Sequence, residues 1–203
     1  MITILIVIST AVISIASFRR MDLFSKLDFQ PYLINKKNEY FRFISHTFVH
    51  ADWIHLIVNM LVFYSFGRYV EQIFSELQRS QLIFSGTFFY ILLYFGGAII
   101  ASMPSFFKQK NNPDYISVGA SGAVSAVLFS SIFFSPMAKI YFYGIIPMPG
   151  IVFGILYLIY SSYMGRRGRD NINHDAHFWG AVFGFVFPLL IEPSLIREFI
   201  NQF

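Results

Sequence analysis

Apolar residues gather along this chain into long runs separated by polar connectors. A hydrocarbon core of about 30 Å takes roughly 20 apolar residues in a helix, which makes a window of that size the natural unit of reading. Six windows emerge, at Ile2 to Phe18, Trp53 to Phe74, Leu82 to Met103, Ser117 to Phe134, Ile140 to Met164 and His177 to Glu192. They predict an all-α, polytopic membrane protein: one domain over residues 1–203 built as a six-transmembrane-helix bundle. No Lys or Arg precedes the first window and Arg19 with Arg20 follow it, the reverse of a signal peptide's charge order, so it reads as a retained helix.

Polar groups enter only the even-numbered windows. The second contains His55 and Asn59, the fourth opens with glycines and serines, and the sixth opens with His177. In an up-and-down bundle the even helices run in the same direction, so their N-terminal ends lie on one side of the membrane. His55, Asn59, Ser121 and His177 therefore share one depth. The fifth window contains Gly144, Pro147, Pro149 and Gly150, which loosen a helix and predict a bend that admits a substrate sideways from lipid. The connector 19–52 mixes Lys26, Lys36, Lys37, Glu39 and Arg42 with Phe24, Leu27, Phe29, Tyr32 and Phe43, and reads as an interfacial loop.

Composition agrees with lipid as the solvent. Hydrophobic residues make up 56% of the chain and charged residues 13%, and a soluble fold of this length could not cover 26 Phe and 12 Tyr. The net charge of +4 sits in connectors, where it suits anionic headgroups, and no basic stripe with interleaved aromatics marks a nucleic-acid surface. The absence of cysteine removes disulfides, thiolate metal sites and a cysteine nucleophile. The compact chain, with no appended targeting segment in this sequence, points to a bacterial inner (cytoplasmic) membrane.

Three clusters could carry chemistry. Gly119-Ala120-Ser121-Gly122 opens the fourth helix, where small neighbours leave the serine hydroxyl unshielded and unpaired N–H groups carry partial positive charge suited to an anionic intermediate. The competing reading is close helix packing, for which such runs are common. His177, Gly180 and Gly184 share one face of the sixth helix, so another helix can approach closely there and meet the imidazole. His174, one turn earlier and nearer Arg166, Arg167 and Arg169, is a competing base on a wetter stretch. Asp175 lies about 200° around the helix from His177 and cannot complete a triad through it, which leaves a serine–histidine dyad. His55 and Asn59, four apart, offer two N–H donors on one face of the second helix. A metal site built from the histidines His46, His50, His55, His174 and His177 is the alternative, disfavoured because no HExxH occurs and no carboxylate lies near the His55/Asn59 face.

Together these residues resemble the rhomboid family of intramembrane serine proteases. The matching elements are His46-x3-His50-x4-His55-x3-Asn59, then Gly67 and Glu71, then Gly-x-Ser-Gly at Gly119 to Gly122, then Ala-His-x2-Gly-x3-Gly from Ala176 to Gly184. The resemblance implies Ser121 as nucleophile, His177 as general base and acid, and an oxyanion hole of His55, Asn59 and the Ser121 backbone N–H. Gly119, Gly122, Gly180 and Gly184 would support these residues. It also implies cleavage of single-span membrane proteins near the membrane surface, with neither cofactor nor metal. A catalytically silent relative that binds membrane helices is the alternative.

The chain departs from the family pattern in two places. Members often carry, one turn after the nucleophile, an aromatic that stacks on the histidine. Here that place is Ser125, so support for the His177 ring must come from elsewhere. The first loop carries Phe41-Arg42 where Trp-Arg is common. The family's cytoplasmic N-terminus also puts eleven Lys and Arg on the active-site side (19, 20, 26, 36, 37, 42, 108, 110, 166, 167, 169) and four on the other (68, 79, 139, 197), against the positive-inside tendency.

Overall fold

The computed structural model describes residues 1–142, 144–168 and 172–203. Arg169, counted above among the connector cations, lies outside them. The chain is mostly helical. Its long helices are α1 (Ile2–Ser17), α5 (Trp53–Arg79), α6 (Gly86–Gln109), α7 (Ser121–Phe134), α8 (Gly150–Arg167) and α9 (His174–Ile191). Short helices α2 (Met21–Leu27), α3 (Pro31–Lys37) and α4 (Arg42–Ser45) fill the first connector, and α10 (Leu195–Ile200) closes the chain.

By length and composition, α6 and α9 each suffice to cross a membrane. A third span is reached if α4 with the 3-10 turn His46–Phe48 is joined to α5 across its 100° bend. Helices α1 and α7 are apolar but have only 16 and 14 residues. Among the described residues, two or three helices thus meet the spanning measure, fewer than the six windows. A helix can read as apolar in sequence and still be too short to cross alone.

Helix α7 is the axis of the core. Every residue from Gly122 to Phe133 is buried, as expected of a helix that is apolar all round and enclosed by others. Three elements start with side-chain caps. Asp52 accepts from the His55 N–H at 2.8 Å, Ser85 from Phe88 at 3.3 Å, and Asn173 from Ala176 at 3.1 Å. Helix α1 lies against α5, and its buried residues Thr3, Ile6, Thr10, Ser14 and Ser17 are spaced three or four apart on one face. Near the start of α1, the Glu71 carboxylate of α5 accepts from the Ile2 N–H at 2.7 Å and from the Thr3 hydroxyl at 2.7 Å, which caps a helix that has no capping side chain of its own.

The first connector is a folded element. Arg42 donates to Asp28 at 2.6 Å and to Glu39 at 2.6 Å, with the Arg42 and Asp28 side chains only 5% and 2% exposed. Burial pushes the Asp28 carboxyl up, while Gln30 and Arg42 pull it down. Phe29, Ile34 and Phe43 pack beside this pair against Ile99, Met103 and Phe106 of α6.

The fifth window needs correction. Its described residues before Gly150 are not helical. Lys139–Phe142 (β1) and Ile146–Pro149 (β2) pair antiparallel, in the register Lys139 with Pro149 and Phe142 with Ile146, and α8 starts only at Gly150. The fold is mostly helical, compatible with the all-α class, with one short β-hairpin among the described residues. Gly144 takes φ +73° in the turn, and both strands of a two-stranded ribbon are edges that tolerate Pro147 and Pro149. These residues precede α8 and cannot bend it. The expected bend, and the sideways admission built on it, are withdrawn.

Candidate active site

Helices α7 and α9 run parallel in backbone contact. A Cβ added to Gly180 would lie 2.2 Å from the Gly122 carbonyl oxygen, and one added to Gly184 would lie 1.9 Å from that of Ala126. Successive turns of the two helices are thus in register, 122 with 180 and 126 with 184. Ala176 closes the contact one turn earlier, its carbonyl oxygen 3.5 Å from a Cβ built on Gly122. Ser121 and His177, both half-buried, sit at this N-terminal end of the pair, within a turn of their helix starts.

The His177 imidazole is stacked on Tyr157 of α8, with ring centroids 6.2 Å apart and planes 21° from parallel. The Tyr157 hydroxyl lies 2.6 Å from Ser125 Oγ. His174 is 4% exposed, its ring against Tyr160 at 5.6 Å and 5.9 Å from that of His177. This corrects the expectation of a wetter residue: α8 covers it. Asp175 pairs with Lys108 at 2.5 Å.

The segment leading into α7 is gripped by the histidine-rich turn before α5. Gly119 takes φ +108°, and a Cβ there would fall 2.5 Å from Cε1 of His55, so only glycine lets this imidazole lie against the chain two residues before Ser121. The Gly119 N–H donates to the His46 carbonyl at 3.0 Å, and His46 Nδ1 donates back to the Gly119 carbonyl at 3.2 Å, since a carbonyl only accepts. His50 Nε2 accepts from the Ala120 N–H at 3.4 Å. Its Nδ1 therefore holds the proton and donates to Ser14 Oγ at 2.9 Å, whose own hydrogen goes to the Phe48 carbonyl. Phe29 and Ser117 exchange backbone bonds at 2.8 and 3.0 Å, tying the first connector to the same segment.

His55 is half-buried and its ring meets that of His50 edge-on at 4.9 Å. Asn59 is buried and donates one amide hydrogen to the His55 carbonyl at 2.8 Å. A cavity of about 310 Å³ opens beside α9's start, lined by Ser105, Lys108, Tyr115, Asn173, His174 and Asp175 among others. No group of three or more His, Asp or Glu side chains able to hold a metal forms among the described residues.

Compared with models of known families, residues 37–194 match the Rhomboid domain. The chain belongs to the rhomboid family. That family is embedded in membranes and generally contains intramembrane serine proteases, which accords with the apolar helices here. The chain is 28% identical over 144 residues to RHOMBOID-like protein 12, mitochondrial, of Arabidopsis thaliana, covering 68% of this chain and 42% of that one. It is 32% identical over 144 residues to presenilin-associated rhomboid-like protein A, mitochondrial, of Danio rerio, covering 68% of this chain and 34% of that one. It is 25% identical over 161 residues to the putative rhomboid protease YdcA of Bacillus subtilis, covering 79% of this chain and 72% of that one. This rhomboid chain thus spans less than half the length of the plant and fish relatives.

Three residues of the site gained their roles only from the fold. His46 and His50 were visible as a spaced motif, but their partners Gly119 and Ala120 lie about 70 residues away. Tyr157 stands in an apolar helix rich in aromatics, and no local spacing marks it out.

Proposed function

We propose that this rhomboid chain is an intramembrane serine endopeptidase, built on six membrane helices, that cleaves single-span membrane proteins near the membrane surface through a Ser121–His177 dyad. One observation carries the reading: the parallel, glycine-mediated contact of α7 and α9 that brings a helix-start serine and an imidazole to the same level. Ser121 Oγ attacks the scissile carbonyl while His177 accepts its proton. The C–N bond then breaks and the amine leaves with that proton. Water, deprotonated by His177, next attacks the acyl-enzyme and frees the acid and Ser121.

The oxyanion of each tetrahedral intermediate is held by the Ser121 backbone N–H, His55 and the second amide hydrogen of Asn59. Such donors are worth roughly 10²–10³ in rate apiece. The polar cavity at the mouth of α9 supplies the water, and neither metal nor cofactor takes part. The first connector lies at the membrane surface on the active-site side, with the N-terminus cytoplasmic. Of its cations Arg42 is buried in ion pairs, which softens the charge imbalance noted above. The membrane is a bacterial cytoplasmic one, on the strength of the Bacillus protein, which is covered over the largest share of its length among the relatives named here.

The test is reconstitution in liposomes with a model single-span protein. Wild type should cleave it and react with a fluorophosphonate probe, and Ser121→Ala should do neither. Cleavage undiminished in Ser121→Ala would overturn the mechanism, and a wild type inert to both would favour a silent helix-binding relative.

A further inference from the structure

One aromatic neighbour of the candidate base, the stacked one, comes from outside both helices of the dyad. Tyr157 projects from α8, stacks face-on to His177 and buries its hydroxyl against Ser125, with Phe129 at 5.4 Å and Phe153 at 5.8 Å holding the rest of its ring. Ser125 is 4% exposed and stands one turn after Ser121 on the same face of α7. A chain of contacts therefore runs from the serine's own helix through a hydroxyl pair to a tyrosine, and from its ring to the imidazole.

We propose that Tyr157, locked by Ser125, is the positioning residue that sets the plane of the His177 ring for proton transfer. The proposal rests on the dyad reading. An imidazole turns about two side-chain bonds, and its ring torsion is broad when nothing opposes it. A face-stacked ring within 7 Å opposes that rotation. A phenylalanine could stack equally well but would leave its support free to slide with α8. The hydroxyl matters because it refers the stack to α7, so base and nucleophile share one frame. Ser125 is then a small residue that leaves room for the tyrosine to reach across. The outer face of α8 is exposed at Ile155, Leu156 and Ile159, while this hydrogen bond ties its inner face to α7.

The experiment measures the rate of fluorophosphonate labelling and the kcat and KM for a single-span substrate, in purified full-length Tyr157→Leu, Tyr157→Phe, Ser125→Ala and the Tyr157→Phe/Ser125→Ala double variant. Unfolding midpoints are taken for all. Tyr157→Leu, which fills space without a ring, should lower kcat and labelling about 100-fold with KM unchanged, the effect of a misplacement of about 1 Å. Tyr157→Phe should recover most of that loss. Tyr157→Phe and Ser125→Ala should each cost about threefold to tenfold, and the double variant no more than either alone, because both remove one interaction. Labelling of Tyr157→Leu at the wild-type rate would overturn the proposal and leave the dyad intact. A wild type that does not label would overturn the dyad reading itself. Should Tyr157→Leu not fold, the pair cycle decides: additive losses, or none, overturn the proposal.

Discussion

Replacing Gly180 with alanine tests the backbone contact on which the site depends. The new methyl would sit 2.2 Å from the Gly122 carbonyl oxygen, and the nearest other atoms are the Gly122 carbonyl carbon at 3.0 Å and its Cα at 3.2 Å. All three are backbone atoms of a buried helix, so no flexible side chain can swing away. A carbon–oxygen contact relaxes at roughly 3.3 Å, so α9 must move about 1 Å from α7 at this level. Overpacking of this kind costs about 1–3 kcal/mol, which lowers an unfolding midpoint by about 2–12 °C for a chain of this size. The functional loss should be larger than the stability loss. His177 lies one turn from Gly180, and a shift of about 1 Å between base and nucleophile costs roughly 100-fold in rate. Steady-state cleavage and detergent thermal melts measure both quantities. Gly96→Ala serves as control, since its methyl would meet only the tip of Phe183 at 3.2 Å. A Gly180→Ala variant with wild-type kcat and midpoint would refute the contact and the register argument built on it.

Three further outcomes are expected. Gly119→Ala, placing a methyl 2.5 Å from the His55 ring at φ +108°, should fold but lose at least about 100-fold in labelling by the fluorophosphonate probe, and full labelling would show that His55 is not held against this segment. Asp28→Asn leaves the buried Arg42 with Glu39 as its remaining carboxylate and should cost about 1.5–3 kcal/mol in equilibrium unfolding, the range for one charged hydrogen bond, whereas a loss below about 1 kcal/mol would mean that the pair is solvated. Cysteine placed at Lys110 or Gly168 should label from the side opposite the cytoplasm, and labelling from the cytoplasm alone would reverse the orientation.

Much of this protein is legible in its sequence because lipid imposes simple rules. The stretches that became α5, α6 and α9 stand out as apolar runs with few charges, and the positions of Ser121, His177, His55 and Asn59 near helix starts follow from counting residues. Those are local properties of the chain. The opening of the fifth window, Ile140 to Pro149, shows the limit of the same rule: an apolar run carries no period and looks alike as helix or as ribbon, and Gly144 with two prolines is the signal that favours a turn. Apolarity marked α1 to within a residue, Ile2 to Phe18 against Ile2–Ser17, whereas α7 starts at Ser121 rather than Ser117, which is held in a backbone bridge with Phe29.

Other facts were decided only by tertiary structure. His174 reads as wet beside an arginine-rich connector, yet Tyr160 covers it. Ser125 reads as a missing aromatic, yet Tyr157 arrives from a helix 32 residues away to stand on His177. His46 and His50 read only as members of a spaced motif, yet both rings and the His46 carbonyl hold a segment some 70 residues downstream. In each case the residue's partner lies on another helix. Periodicity and composition report which face of an element is apolar, whereas the identity of a partner depends on how whole helices cross.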